Sequence, residues 1–219
     1  MTLPLYAVYG ASGYGREVMP LARAQLQAMG LPLHRLVFID DQPSADQLNG
    51  HAVLTWAAFL AEPATQRAVA IAIANSAVRE ALAAKLAAHK VHTWAVSASQ
   101  VVCMDAVTVG EGAILSPYVT LTSNICIGRH FHANLYSYVA HDCVIGDFVT
   151  FAPGVKCNGN IVIEDHVYIG TGAIIKQGTP DAPLVIGRGA VVGMGAVVTK
   201  SVPAGMTVVG NPARPLNKA

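Results

Sequence analysis

Charged and aromatic residues are scarce in this sequence of 219 residues, at 12% and 6%, although 53% of the residues are hydrophobic. The hydrophobic content is therefore mainly alanine, valine, leucine and isoleucine, which is typical of a regular, repetitively packed core. The formal charge at pH 7 is +1. A balance this even gives no support to nucleic acid or an anionic membrane surface as a partner.

Long apolar runs are also missing, and none approaches the roughly 18 residues of a membrane span. The start MTLPLYAVYGASG has no positively charged region, so we expect no signal peptide. The four cysteines include no C-x-x-C pair and define no disulfide framework. We predict that they are buried, small hydrophobic residues of a protein in the reducing cytoplasm, without a redox or metal role.

The first 97 residues alternate between strand and helix patterns. The predicted strands span residues 5–9, 36–39, 69–73 and 91–96, and the predicted helices span residues 16–29, 56–60 and 76–89. Ser76 is the predicted N-cap of the last helix. This alternation predicts an α/β domain over residues 1–97, with a mainly parallel sheet and right-handed crossovers.

Beyond residue 97 an apolar residue recurs at every sixth position. The series covers twelve consecutive positions: Val109, Leu115, Leu121, Ile127, Ala133, Val139, Ile145, Phe151, Cys157, Ile163, Ile169 and Ile175. The residues four positions after each member are nearly all small or apolar as well. The register slips over Gly178–Leu184 and resumes at Ile186. Twelve apolar residues in succession at this spacing would rarely occur by chance. We therefore infer that the six-residue period reflects the fold.

A period of six fits neither an amphipathic helix nor an alternating strand, and it is typical of hexapeptide β-helices. Three short strands of such a helix form one triangular coil of about 18 residues, and the coils stack about 4.8 Å apart. Residues i and i+18 are then vertical neighbours. The sequence therefore predicts an all-β prism of parallel strands over residues 98–219.

Three motifs together resemble a known family. They are the opening YGASGYG, a strand that ends in Asp40-Asp41, and HDCVIGD within the repeat. The repeat resembles the left-handed β-helix acyltransferases, and the combination resembles the bacterial nucleotide-aminosugar N-acetyltransferases and the related sialic-acid O-acetyltransferases. The resemblance implies acetyl transfer from acetyl-CoA to the amino group of a nucleotide-linked dideoxy-aminosugar in surface polysaccharide (O-antigen) biosynthesis. It also implies a homotrimer with active sites between subunits.

His141 and Asp142 stand side by side in the apolar stretch VAHDCVIG. His141 lies two residues after the inward Val139, and the narrow interior leaves no room for it, so we expect it to project outward near a corner. The residue 18 positions further on is Gly159, and a glycine there should leave its N–H exposed. An imidazole beside a bare amide suits acyl transfer to an amine, with the base taking a proton and the N–H stabilising the oxyanion.

Spacing alone leaves a second interpretation open, in which His141 is a solvated surface residue and Asp142 forms a turn. The resemblance implies instead that His141 is the general base and that Asp142 supports it, which makes His141, Asp142 and Gly159 the predicted catalytic set. Cys143 falls at an inward position, so direct transfer is simpler than a covalent intermediate. A contact between Asp142 and His141 would need the corner geometry, because adjacent strand residues face opposite ways.

The other histidines of the repeat fit a catalytic role less well. His130 and His132 are expected to face solvent or a subunit contact, and His166 is expected at a turn. A left-handed β-helix can hold zinc, as in the gamma-class carbonic anhydrases, but this needs a close histidine pair and a third ligand. The sequence contains no such pattern, so we predict no metal.

The loop Gly10–Gly15 follows a strand and opens a helix, so its N–H groups suit a phosphate. Its spacing is G-x-x-G-x-G, not the G-x-G-x-x-G of dinucleotide-binding folds, which disfavours a redox cofactor. The resemblance implies a nucleotide sugar, with Ser12, Gly13 and Tyr14 at the diphosphate or sugar, Asp40 and Asp41 at the base or ribose, and Asn75 at the third strand. A solvated strand end is the alternative for the two aspartates.

The resemblance also implies acetyl-CoA along one edge of the prism, next to Thr150, Gly159, Thr171 and Met194. Gly178–Leu184 is expected to be an extruded loop that contacts CoA or a neighbouring subunit. Two other functions stay open at this point. One is O-acetylation of a sugar hydroxyl, which could use the same base. The other is a non-catalytic nucleotide-sugar-binding or assembly protein. The expected stacking of an outward His141 over Gly159 disfavours this second function.

Overall fold

The computed structural model describes residues 3–216, and the chain divides into two compact units, Met1–Ala98 and Ser99–Ala219. In chain order the first unit contains β1 (Leu5–Tyr9), α1 (Gly13–Ala28), a 3-10 helix (Leu33–Arg35), β2 (Leu36–Ile39), β3 (Gln47–Leu48), β4 (His51–Leu54), α2 (Trp56–Ala61), β5 (Arg67–Ile71), α3 (Ser76–Ala88), β6 (His92–Thr93) and β7 (Val96–Ser97). No helix among the described residues is long and apolar enough to cross a bilayer.

The sheet of the first unit has the strand order β3-β4-β2-β1-β5-β6. Its strand pairs are parallel except β3 with β4. The central strands are buried along nearly their whole length because helices cover a parallel sheet on both faces. The predicted α/β fold with a mainly parallel sheet is confirmed.

The start of α1 differs from the sequence prediction. The helix begins at Gly13 rather than Arg16, because the Arg16 N–H donates to the Ser12 carbonyl (3.0 Å) and closes the first turn earlier. Gly15 packs so closely on the Gly10 carbonyl that a Cβ atom would overlap it. Two glycines of the predicted turn therefore belong to the helix, and Gly15 is required there for close packing.

Three further boundaries were predicted incorrectly. Strand β5 ends two residues earlier than expected, and Asn75 rather than Ser76 is the N-cap of α3, since the Asn75 side chain accepts from the Val78 N–H. The strand predicted over residues 91–96 is two separate strands, β6 and β7. The short pair of strands β3 and β4 was not predicted, because two-residue strands carry almost no periodic signal.

The second unit is a prism of stacked coils whose strands form three parallel sheets. The first face contains β10 (Ile114–Leu115), β13 (His132–Ala133), β16 (Thr150–Phe151), β19 (Tyr168–Ile169), β22 (Val191–Val192), β24 (Thr207–Val209) and the antiparallel β25 (Arg214–Pro215). The second contains β8 (Val102–Cys103), β11 (Thr120–Leu121), β14 (Tyr138–Val139), β17 (Lys156–Cys157), β20 (Ile174–Ile175) and β23 (Val197–Val198). The third contains β9 (Val107–Val109), β12 (Ile125–Ile127), β15 (Val144–Ile145), β18 (Ile161–Ile163) and β21 (Leu184–Ile186). This is the left-handed parallel β-helix that the sequence predicted.

Residues i and i+18 are vertical neighbours, as the six-residue period predicts. Leu121 pairs with Val139, and Val139 pairs with Cys157, so one inward row runs up the second face. Every member of the twelve-residue series is buried except Val109. Val109 is 38% exposed because β9 is the last strand of its sheet and no further coil covers it.

The predictions for two cysteines and two histidines were wrong. Cys143 and Cys157 are buried, but Cys103 and Cys126 are exposed, since Cys103 lies in an end strand and Cys126 points outward between Ile125 and Ile127. His130 and His132 are both 1% exposed. His130 stacks on Phe148 with ring centroids 5.1 Å apart, and His132 pairs with Ile114 and Thr150 on the first face.

Candidate active site

His141 lies at the corner of the prism that joins the second face to the third, between β14 and β15. The corner is repeated in each coil by a residue with positive φ, and Asn124, Asp142 and Asn160 occupy it in successive coils at φ 58°, 57° and 55°. Backbone bonds join the coils here: the Asp142 N–H donates to Ser123 (3.1 Å) and the Asn160 N–H donates to His141 (3.0 Å). Asparagine and aspartate adopt this left-handed conformation more readily than most residues.

The left-handed conformation of Asp142 turns its carboxylate back toward the preceding side chain. Asp142 Oδ2 lies 2.7 Å from His141 Nδ1, and both side chains are about half exposed. The hydrogen bond from His141, and then the one from Asn124, holds the pKa of Asp142 below its usual range. A carboxylate can only accept, so Nδ1 carries the proton and the neutral ring keeps its lone pair on Nε2.

Gly159 occupies the same corner one coil further on, beneath the His141 ring. A Cβ atom at this position would lie 2.5 Å from both Cε1 and Nε2 of His141, so only glycine lets the ring lie there. Contrary to the expectation of an exposed amide, Gly159 is buried. Its carbonyl accepts from the Gly178 N–H (3.0 Å), and no acceptor within residues 3–216 takes the Gly159 N–H. The imidazole therefore packs against a glycine whose N–H has no protein acceptor in the described chain.

Asn158 braces the backbone next to Gly159. Its Oδ1 accepts from the Tyr138 hydroxyl (2.8 Å) and its Nδ2 donates to the Ile175 carbonyl (2.7 Å). Burial, with a smaller contribution from Cys157, raises the pKa of Tyr138, so this hydroxyl stays a donor. No spacing in the sequence predicted this brace, because Tyr138 and Asn158 meet only through the stacking of coils.

The extruded loop leaves the prism at the same corner, one coil beyond Gly159. Ile163 pairs with Ile186, and the five residues beyond the usual spacing of 18 are accommodated between β20 and β21. The Gly178 N–H donates to Gly159, and the Leu184 N–H donates to the Asn160 carbonyl (3.2 Å). The loop therefore borders the site formed by His141 and Gly159.

The residues predicted to contact CoA are not grouped around His141. Thr171 and Met194 lie on the corner between the first and second faces, where the Gly195 N–H donates to the Thr171 carbonyl, and Met194 is 81% exposed. Thr150 lies in β16 on the first face and is buried. The second face separates Thr171 and Met194 from Gly159, so one chain does not bring the whole set together.

In the first unit, a cavity of about 350 Å³ lies at the carboxyl ends of the strands. Ser12 and Asp40, two of the residues predicted to bind the nucleotide sugar, line it, and Ser12 makes no side-chain cap bond to its helix. Arg16, Gln42 and Ser44 also line it and were missed. Arg16 could have been found from its spacing, because it lies four residues after Ser12 and so on the same side of the helix.

A second cavity of about 300 Å³ is lined by Asp40 and Asp41, together with Tyr9. Asp41 accepts from the Tyr9 hydroxyl (2.6 Å) and lies 3.6 Å from Lys85 Nζ, which itself lies 4.8 Å from the Trp56 ring centroid. Burial, and then the bond to Asp41, raises the pKa of Tyr9. The adjacent aspartates thus have different surroundings, and only Asp41 is held by a network of side chains.

The remaining predicted residues of this unit have varied surroundings. A Cβ atom at Gly13 would touch nothing within 4 Å, so the first turn of α1 is open to a ligand. The Tyr14 hydroxyl is turned into the protein beside Arg79, whose pKa burial lowers to about 10 against the opposing effect of Tyr14. Asn75 is exposed, with its Oδ1 engaged in the helix cap. No group of three metal-binding side chains occurs among residues 3–216.

The prism, the α/β unit and an imidazole over a backbone amide define an acyltransferase of the left-handed β-helix class. Comparison with known proteins narrows this class. The first unit matches the family model described as PglD N-terminal domain over residues 6–86. The chain is 50% identical over 215 residues to GDP-perosamine N-acetyltransferase of Escherichia coli O157:H7, covering 98% of this chain and 97% of that protein. It belongs to that family, and it is an enzyme, an acetyl-CoA-dependent sugar N-acetyltransferase.

Two solved structures are similar over the whole length. WeeI from Acinetobacter baumannii AYE is 62% identical with a TM-score of 0.95, over 97% of this chain and 100% of that one. The acetyltransferase domain of PglB from Neisseria gonorrhoeae FA1090, solved in complex with acetyl coenzyme A, is 28% identical with a TM-score of 0.83, over 99% of this chain and 100% of that one.

Proposed function

We propose that this enzyme transfers the acetyl group of acetyl-CoA to the 4-amino group of GDP-perosamine, a nucleotide-linked dideoxy-aminosugar, for surface polysaccharide biosynthesis. The identity of 50% to GDP-perosamine N-acetyltransferase supports the choice of acceptor. The observation that carries the chemistry is the His141 ring, fixed by Asp142 at 2.7 Å and lying over the amide of Gly159.

In the proposed reaction the free amine attacks the thioester carbonyl of acetyl-CoA while Nε2 of His141 accepts a proton from the attacking nitrogen. The carbonyl oxygen becomes an oxyanion, which the Gly159 N–H stabilises. The C–S bond then breaks, the carbonyl re-forms, and the CoA thiolate leaves and takes up a proton from His141. Asp142 acts through His141, because it holds Nδ1–H and stabilises the imidazolium.

The α/β domain, residues 1–97, is proposed to bind the nucleotide sugar, and residues 98–219 the acyl donor. Ser12 and Gly13 would meet the diphosphate, since the open first turn of α1 offers N–H groups and positive potential. We add Arg16, which lines the same cavity. Asp40 and Asp41 would meet the base or ribose, and Tyr14 and Asn75 would contribute ring, amide or backbone contacts.

The acetyl-CoA site is proposed to comprise Thr150, Gly159, Thr171 and Met194 and to lie between the subunits of a homotrimer. Apart from Gly159, these residues lie away from the His141 corner of their own chain, which supports a site completed by a neighbouring copy.

The cytoplasm stays the expected compartment of this enzyme, because its cysteines are free thiols, which persist in a reducing environment.

The test is release of CoA thiol with a panel of nucleotide sugars, with the product analysed by mass spectrometry. GDP-perosamine should give the highest kcat/KM and a product with an amide at the 4-position. Matched UDP-linked 4-amino sugars and GDP-linked 4-hydroxy sugars serve as controls for the base and for the amine. A higher kcat/KM with a hydroxyl acceptor, or binding of GDP-perosamine without thiol release, would overturn the proposal.

A further inference from the structure

The corner that carries His141 contains one more polar side chain with a direct contact to the site. Asn124 lies one coil before Asp142 and has the same left-handed conformation. Its Nδ2 donates to Asp142 Oδ1 at 3.2 Å. The donor must be the amide nitrogen, because the pKa of Asp142 is lowered and a carboxylate offers only acceptors.

The two oxygens of Asp142 therefore have separate partners. Oδ1 accepts from Asn124 and Oδ2 accepts from His141. A carboxylate held at both oxygens cannot rotate without losing a bond, whereas one held at a single oxygen can turn toward water. This matters because the Asp142 side chain is 47% exposed, so water competes for every one of its bonds.

We infer that Asn124 is a positioning residue of the proposed acetyl transfer, which fixes the Asp142 carboxylate so that it holds His141 with Nε2 free and facing Gly159. The inference rests on His141 being the general base of the proposed function. Asn124 touches no reacting atom, and its contribution passes through Asp142. Asn124 on one coil and the adjacent residues His141 and Asp142 on the next coil thus form a chain of hydrogen bonds. The chain ends at the general base, His141.

A purely conformational role is the alternative, because asparagine suits a corner with positive φ. The chain offers a matched control for it. Ala106 occupies the same corner one coil before Asn124, is exposed, and has φ 54°. Asn124→Gly and Ala106→Gly both place glycine in the left-handed conformation, where it is favoured, but only the first removes an amide from Asp142.

Asn124→Gly should lower kcat about 3- to 10-fold, the usual worth of one hydrogen bond, with unchanged KM for both substrates. The loss follows because the His141 ring then keeps only a loosely held carboxylate partner. Combined with Asp142→Asn, which removes that partner, Asn124→Gly should add almost nothing. Ala106→Gly should match the wild type in each respect.

Nitrogen NMR of the His141 ring tests the inference without turnover. The neutral wild-type ring should be the Nδ1–H tautomer, and Asn124→Gly should give a mixture of the two tautomers. A His141 ring in Asn124→Gly with the same single tautomer as in Ala106→Gly, or a fall in kcat that adds fully to that of Asp142→Asn, would overturn the inference. If His141→Ala keeps normal turnover, the general base of the proposed function is wrong, but the NMR result still decides whether Asn124 orients the ring.

Discussion

A histidine that accepts a proton from an amine needs one ring nitrogen without hydrogen, pointed at the acceptor. Asp142 meets the first requirement by holding Nδ1–H, and Gly159 meets the second by leaving room under the ring. Neither residue would serve at an ordinary strand position, because adjacent strand side chains diverge. The left-handed corner at Asp142 is what brings two neighbouring side chains into contact.

His141→Ala should lower kcat by roughly 10²- to 10⁴-fold, the usual contribution of positioned proton transfer. The melting temperature should hardly change, because the side chain is 48% exposed. The acid limb of the wild-type rate profile should vanish in the variant. His92→Ala, an exposed histidine of the first unit, is the control. Near-normal turnover of His141→Ala with an amine acceptor would place the base elsewhere.

Gly159→Ala should reduce kcat because its methyl group would collide with Cε1 and Nε2 of His141. Binding of the nucleotide sugar, measured by calorimetry, should not change if the α/β domain holds it. In a His141→Ala background the same substitution should cost much less, since the displaced ring is already gone. An equal loss in both backgrounds would mean that the methyl group blocks the thioester instead.

At the scale of strands, the side chains that point into the prism are packed against one another, and a charged side chain among them would have no partner. Ile145 is 2% exposed and stacks between Ile127 and Ile163, so Ile145→Asp would bury an unpaired carboxylate, which is costly. We expect this variant to lose its folded circular dichroism spectrum. Val144→Asp, one residue earlier and 50% exposed, should keep it. Equal melting temperatures for the two variants would refute the register.

Asp147 forms an ion pair between coils that predicts a dependence on pH. Burial raises its pKa, but the backbone and side-chain bonds from Arg129 outweigh this, and the pKa lies below the usual range. A carboxyl whose pKa is depressed by folding stabilises the fold above its unfolded pKa, and this effect disappears as the pH falls through the folded value.

Asp147→Asn should therefore lower the melting temperature most near neutral pH, by the equivalent of up to about 1 kcal/mol, and least near pH 3. Asp181→Asn, in the exposed loop, is the control and should follow the wild type at every pH. A difference between Asp147→Asn and wild type that grows as the pH falls would contradict the assignment.

The elements that the sequence predicted well are those with a strong period. Each inward position of a coil must be apolar, so the register from Leu115 to Ile175 could be followed residue by residue. Contacts between coils carried no such signal. The Asn124–Asp142 bond and the stacking of His130 on Phe148 depend on left-handed corner conformations, which no spacing rule contains. The Asn158 brace depends on the stacking of one coil on the next.

In the first unit the hydrophobic strands β1 and β2 and the start of α2 were predicted to the residue, whereas the start of α1 and the N-cap of α3 were not. The start of α1 depends on how Gly15 packs on Gly10, which is a tertiary contact. Arg16 and Gln42 were missed as cavity residues because polar residues at strand and helix ends have many possible roles. Asp40 was singled out through the family resemblance, and its place at the carboxyl end of β2, next to a cavity, agrees with the usual position of ligand sites in parallel sheets.

At the scale of the whole molecule, several large apolar side chains of the prism are exposed, and exposed apolar surface of this kind often marks an interface. Tyr118 and Tyr136 stack in parallel at 5.1 Å while 55% and 65% exposed, and Met194 is more exposed still. We expect a homotrimer, which is a closed symmetric assembly. Light scattering should give three times the mass of the chain, and a monomer at micromolar concentration would contradict this.

Mixing subunits tests whether each active site is shared. His141→Ala should be inactive for lack of the base, and Met194→Asp should be inactive because a charge replaces the proposed CoA contact. If one subunit supplies His141 and its neighbour supplies Met194, unfolding and refolding an equal mixture should restore about a quarter of the sites, since each subunit is drawn at random from two kinds. The two variants refolded separately are the controls. Sites built within one chain would give no recovery, because no chain in the mixture carries both residues.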